Sequence, residues 1–99
     1  MFSKYYSATR LKMMEDYELE RIINSDQSED VIELCKKELE RREILKRMKY
    51  LLDVRFDYAR RASIATKPEV KAEMELKFHE VSKELDRWNK KLEELVERG

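Results

Sequence analysis

The sequence predicts an all-α protein: an elongated antiparallel hairpin of two long, coiled-coil-like helices, preceded by one or two shorter N-terminal helices. Three observations lead there. The chain holds one glycine and one proline in 99 residues, so it has little means of turning often. Its charged residues amount to 44% against 41% hydrophobic, the balance of solvated helix surface around a narrow apolar seam. Apolar residues near the C-terminus recur at Met74, Phe78, Val81, Leu85, Trp88, Leu92 and Leu95, in alternating steps of four and three.

The first element, expected over residues 4–24, takes Leu11, Met14, Leu19, Ile22 and Ile23 as its apolar positions. Asp16 is a candidate cap for a second short helix starting at Tyr17. Ser25, Asp26 and Ser28 then offer capping side chains ahead of Glu29 and Asp30, whose charge suits the positive end of a helix dipole.

A long helix is expected over 28–64, where no glycine or proline interrupts. Ile44, Met48, Leu51, Leu52, Tyr58, Ala59, Ala62 and Ala65 continue its apolar stripe, with Arg55 falling on it. A glutamate of the last helix is one expected partner for Arg55. A second idea pairs Arg55 with Tyr58 around a small anionic ligand between chains.

Pro68 opens the last helix, expected over 68–97, because its missing N–H has no intrahelical acceptor to lose in the first turn. Thr66 and Glu69 have the spacing of a capping box, while Lys67, preceding proline, is the competing cap. A connection this short makes neighbouring helices antiparallel, so the whole of 1–99 reads as a single helical domain. One hairpin interface buries little apolar surface for its length, so the chain is expected to self-associate, most naturally as a dimer, through the seam from Met74 to Leu95.

Twenty-two basic and 22 acidic residues cancel, which points to no particular charged partner. The sum hides a gradient: 4 basic and 8 acidic residues up to Cys35, then 10 and 5 from Lys36 to Arg61, then 8 and 9. Arg42, Lys46, Lys49 and Arg60 are therefore candidate phosphate contacts, although Glu38, Glu40, Glu43, Asp53 and Asp57 interrupt the run and form i,i+4 pairs such as Glu38–Arg42 and Glu43–Arg47. Phe2, Tyr5 and Tyr6, among cations at the N-terminus, join Phe56 and Tyr58 as candidate contacts for a protein partner.

No catalytic, cofactor or metal motif is legible. His79 has Leu76 three residues before it, where a carboxylate metal site of a helical bundle needs glutamate. The single cysteine, Cys35, is read as a small buried hydrophobe and points to a reducing compartment. No apolar run approaches the ~18 residues of a membrane span, and the N-terminus lacks the apolar core of a signal peptide. The expectation is a cytoplasmic, non-catalytic protein–protein interaction module, a small adaptor, inhibitor or assembly factor. The alternative is a nucleic-acid-binding protein using the basic middle helix.

Overall fold

A computed structural model describes residues 8–25 and 28–97. They form α1 (Ala8–Lys12), α2 (Asp16–Ile23), α3 (Glu29–Ile64) and α4 (Pro68–Glu97), with no strand among the described residues. The fold class is all-α, with two long helices that pack together and two short ones before them. The tertiary contacts group the chain into two compact units, Met1–Glu43 and Ile44–Gly99, so α3 contributes its first part to one unit and the remainder to the other.

In the first unit, Leu11 of α1, Leu19 of α2, and Val31 and Cys35 of α3 form the buried core. Met14, Ile22, Ile23, Leu34 and Leu39 pack around it. All five apolar positions expected of the N-terminal segment thus take part. Cys35 is fully buried, and burial pushes its thiol above the ordinary value, which suits a packing residue.

The caps differ from expectation in an instructive way. Glu15, one residue before Asp16, holds the N-cap of α2: its carbonyl accepts from Leu19 N at 3.2 Å, and its own N–H donates to Glu18 Oε1 at 3.4 Å. Asp16 is thereby released to form a tertiary ion pair. Ser25 closes the other end of α2, its hydroxyl donating to the Ile22 carbonyl at 2.6 Å. The carbonyl of Ser28 accepts from Ile32 N, placing Ser28 immediately before α3, with Glu29 and Asp30 in the first turn. Asp26 lies outside the described residues.

In the second unit, α3 from Ile44 onward packs antiparallel on α4. The direction is written in the cross-helix pairs: Arg47 meets Glu84, Arg55 meets Phe78, and Tyr58 meets Lys77. Three residues separate the helices, and α4 starts at Pro68 with the Lys67 carbonyl accepting from Lys71 N. Lys67, and not Thr66, is therefore the cap position. Ile44, Leu51 and Ala62 of α3 and Leu85 and Leu95 of α4 are buried. Met48, Tyr58, Met74, Phe78, Val81, Trp88 and Leu92 are half-buried, as befits two helices sharing one interface.

One part of the expected α3 stripe is corrected. Leu52 and Ala59 are exposed, whereas Leu51 and Ala62 are buried. Successive residues on a helix point about 100° apart, so adjacent leucines cannot both face α4. Packing selects Leu51.

Candidate interaction face

Arg42, expected among phosphate contacts, is heavily engaged within the first unit. Its Nε donates to Glu38 Oε2 at 3.0 Å and its Nη1 to Asp16 Oδ1 at 2.6 Å. Its Nη2 reaches the carbonyls of Leu11 (3.0 Å), Lys12 (3.3 Å) and Met14 (2.5 Å), at and just beyond the C-terminal end of α1. One planar guanidinium thus gathers the carbonyls where α1 stops, that of Leu11 also accepting from Met14 N, and ties α1 and α2 to α3. Hydrogen bonding to Asp16 raises its pKa further, with Glu38 adding to that against the opposing effect of burial.

Glu38 is the buried charged residue of the unit, 7% exposed, and is bracketed by Arg42 and by Arg41, whose Nε and Nη2 each lie 2.9 Å from a carboxylate oxygen. Burial pushes the Glu38 carboxyl up. The hydrogen bonds and charges of Arg41 and Arg42 outweigh it and hold the group below its ordinary value. A depressed folded-state pKa contributes stability that is full above the unfolded value of about 4.3 and is lost as pH falls through the folded value. Glu38→Gln is expected to remove that share of the acid sensitivity. Thermal melts at pH 7 and in steps below about pH 4.3 check this; equal acid slopes for variant and parent sink it.

The other expected phosphate contacts lie in the second unit. Lys46 and Lys49 are exposed, and Arg60 is exposed but pairs with Asp57, its Nη2 lying 3.3 Å from Oδ1. Arg61 shares the same carboxylate through the other oxygen. With Arg42 committed to the fold, the cationic row is reduced at its first position. Arg47 reaches across to Glu84 at 3.4 Å, so the expected Glu43–Arg47 pair gives way to an interhelical one.

Arg55 has its guanidinium over the Phe78 ring, 5.8 Å from the centroid. A cation above an aromatic face accounts for its place on the seam without the expected glutamate. Tyr58 is half-buried beneath Lys77 Nζ, 5.8 Å away. Trp88 carries Lys91 Nζ at 4.8 Å. His79 stands edge-on to Phe78, and no group of His, Cys, Asp or Glu among the described residues is arranged to hold a metal. The expected contacts Phe2, Tyr5 and Tyr6 lie outside the described residues.

Phe56, a candidate contact from the sequence, belongs to a second apolar line on α3 that the spacing did not single out. Leu45, Leu52 and Phe56 are exposed, Phe56 by 72%, and Lys49, Ala59 and Ser63 complete a line in steps of four, three, four, three, four. This line stands about 100° around the helix from the Ile44–Leu51–Ala62 seam. At its C-terminal end it opens onto a shallow cavity of about 420 Å³ lined by Ala59, Ala62, Ser63, Lys71, Glu75, Phe78 and His79. The small side chains Ala59 and Ser63 leave that space open. The signal in the sequence was the spacing itself, masked because the two lines interleave.

Comparison with protein-family models, curated proteins and solved structures finds no match. The chain's own geometry therefore carries the functional argument. No helix among the described residues is long and apolar enough to cross a membrane.

Proposed function

We propose that this protein is a non-catalytic helical interaction module, a small adaptor, inhibitor or assembly factor, that works by presenting one face of its α3–α4 hairpin to another polypeptide. The observation behind this reading is the exposed line on α3. Leu45, Leu52 and Phe56 lie on one stripe of one helix, and an apolar stripe with an aromatic near its centre is the anatomy of a helix-packing interface. Phe56 is the expected anchor. Tyr58, on the seam beneath Lys77, supports the hairpin instead.

The reading is tested by comparing what the full chain and its Phe56→Asp variant retain from a lysate, with circular dichroism on both. Because Phe56 is exposed, the variant is expected to keep its helicity and to lose a bound polypeptide. Identical retention by the two proteins overturns the reading. Nucleic-acid binding, the second reading, rests on Lys46 and Lys49, which remain exposed on α3. It requires affinity that falls steeply with salt, and salt-independent or absent binding to duplex and single-stranded oligonucleotides removes it.

A further inference from the structure

The exposed line on α3 has the pattern of a parallel coiled-coil seam. Written as a heptad, Leu45, Leu52 and Ala59 occupy d positions, and Lys49, Phe56 and Ser63 occupy a positions. Leucine at d with a single lysine at an a position is a combination that fixes register and strand number at some cost in stability.

The charges beside the line decide what fits it. On the side away from α4, α3 presents Lys46, Asp53 and Arg60 in steps of seven, with Lys49 leaning the same way; Asp57 there is shared by Arg60 and Arg61. On the opposite side, α4 presents Glu75, Asp86 and Glu93, all exposed. That this row of α4 adjoins the α3 line follows from the cavity that Ala59 and Ser63 share with Glu75 and His79. One edge of the face therefore carries Lys46, Lys49 and Arg60 against Asp53, a net positive charge, and the other carries Glu75, Asp86 and Glu93 against Lys71 at the cavity, a net negative one.

We propose that this face binds a second copy of the same chain. The two α3 helices lie parallel and in register about a two-fold axis running along them. That axis sets the basic edge of each copy beside the acidic edge of the other. The observed pairs Arg47–Glu84 and Tyr58–Lys77 fix the heights along the hairpin. On that scale Asp86 stands level with Lys46 and Lys49, and Glu75 stands level with Arg60. A two-fold axis perpendicular to the helices, which makes the α3 pair antiparallel, brings basic edge to basic edge and the α4 acids together. Like charges placed along both edges oppose association more than the single approach of Lys49 to its own copy that the parallel pairing brings, so the parallel arrangement prevails.

The expected dimer is a modest one. The line spans about 27 Å of helix, less than a standard interface of ~800 Å² per partner requires, and the edge pairs are screened by salt. Its dissociation constant is expected in the micromolar range and to weaken as salt rises. The seam from Met74 to Leu95, expected from sequence to drive self-association, faces α3 within the chain instead, with Leu85 and Leu95 buried.

This inference rests on the interaction-face reading and names its occupant. The test is light scattering after size exclusion on the full chain, at several concentrations and two salt levels. The mass is expected to rise from 12.1 kDa toward twice that value with concentration, and to fall back with salt. Phe56→Asp and Leu52→Asp are expected to stay at 12.1 kDa with unchanged helicity. Oxidised Ala59→Cys is expected to yield a covalent dimer, because the parallel pairing sets position 59 opposite itself. A parent that is monomeric at every concentration overturns the second copy as occupant; lysate retention lost in Phe56→Asp then still upholds the interaction face. A dimer that survives both aspartate variants overturns this face as the contact. A double variant Leu45→Cys with Ser63→Cys that cross-links 45 to 63, while Ala59→Cys does not cross-link, overturns the parallel geometry.

Discussion

Replacing Arg42 with alanine is expected to destabilise the chain by about 2–3 kcal/mol, a fall in melting temperature of about 10–20 °C for a domain of this size. The size of the effect follows from how many groups lose a partner together. Asp16 loses its ion pair, Glu38 keeps only Arg41, and the carbonyls of Leu11, Lys12 and Met14 lose their shared donor. Glu38 is the costly member, because a carboxylate that is 7% exposed retains most of its desolvation penalty when half of its counter-charge is removed. Arg42→Lys is expected to recover little. An ammonium is a single point and cannot address Glu38, Asp16 and a carbonyl cluster from one plane. Chemical denaturation with amide exchange checks both variants: exchange should rise most in α2, whose orientation depends on the Asp16 contact. A variant within about 0.5 kcal/mol of the parent, the range of ordinary surface substitutions, would remove Arg42 from its structural role.

The Leu19→Ala substitution is expected to cost about 3 kcal/mol, by the transfer and cavity terms of a fully buried leucine. Leu19 is 0% exposed and is the buried residue of α2, an eight-residue helix too short to persist by its own propensity. Its side chain holds that helix against Leu11, Val31 and Cys35. Loss of α2 from the core then exposes Leu11 and Cys35 as well, and the Cys35 thiol should become reactive toward a disulfide reagent. Ile22→Val, on the half-buried margin of the same helix, is the control and should cost about 0.5–1.5 kcal/mol. A Leu19→Ala protein that melts within a degree of the parent, with its thiol still protected, would mean that α2 is held by something other than its buried leucine.

Much of the fold was legible because the responsible physics is local. Pro68 tolerates only the first turn of a helix, so it announces where α4 starts. The seam from Met74 to Leu95 announces the face of α4 that meets α3, since a repeat near 3.5 residues keeps one stripe on one side of a helix. The Glu38–Arg42 pair was legible for the same reason: four residues place two side chains one turn apart. The cap of α2 was missed by one position because Glu15 and Asp16 are both acids able to serve at a helix start. The contact that separates them, Asp16 to Arg42, spans 26 residues.

The exposed line on α3 was hidden by an ambiguity of the same kind. Around Leu51 and Leu52 the sequence contains two apolar lines on α3, each with helical spacing. Periodicity alone gives no means of saying which line meets α4 and which faces water. Sequence by itself determined the two long helices, the break between them and the antiparallel return, because turn residues and one-dimensional spacing control those features. Tertiary packing alone decided that Leu51 goes inward and Leu52 outward, and that Arg42 binds carbonyls at the end of α1. These are choices between groups of equal local propensity, settled by which neighbours distant parts of the chain bring within reach.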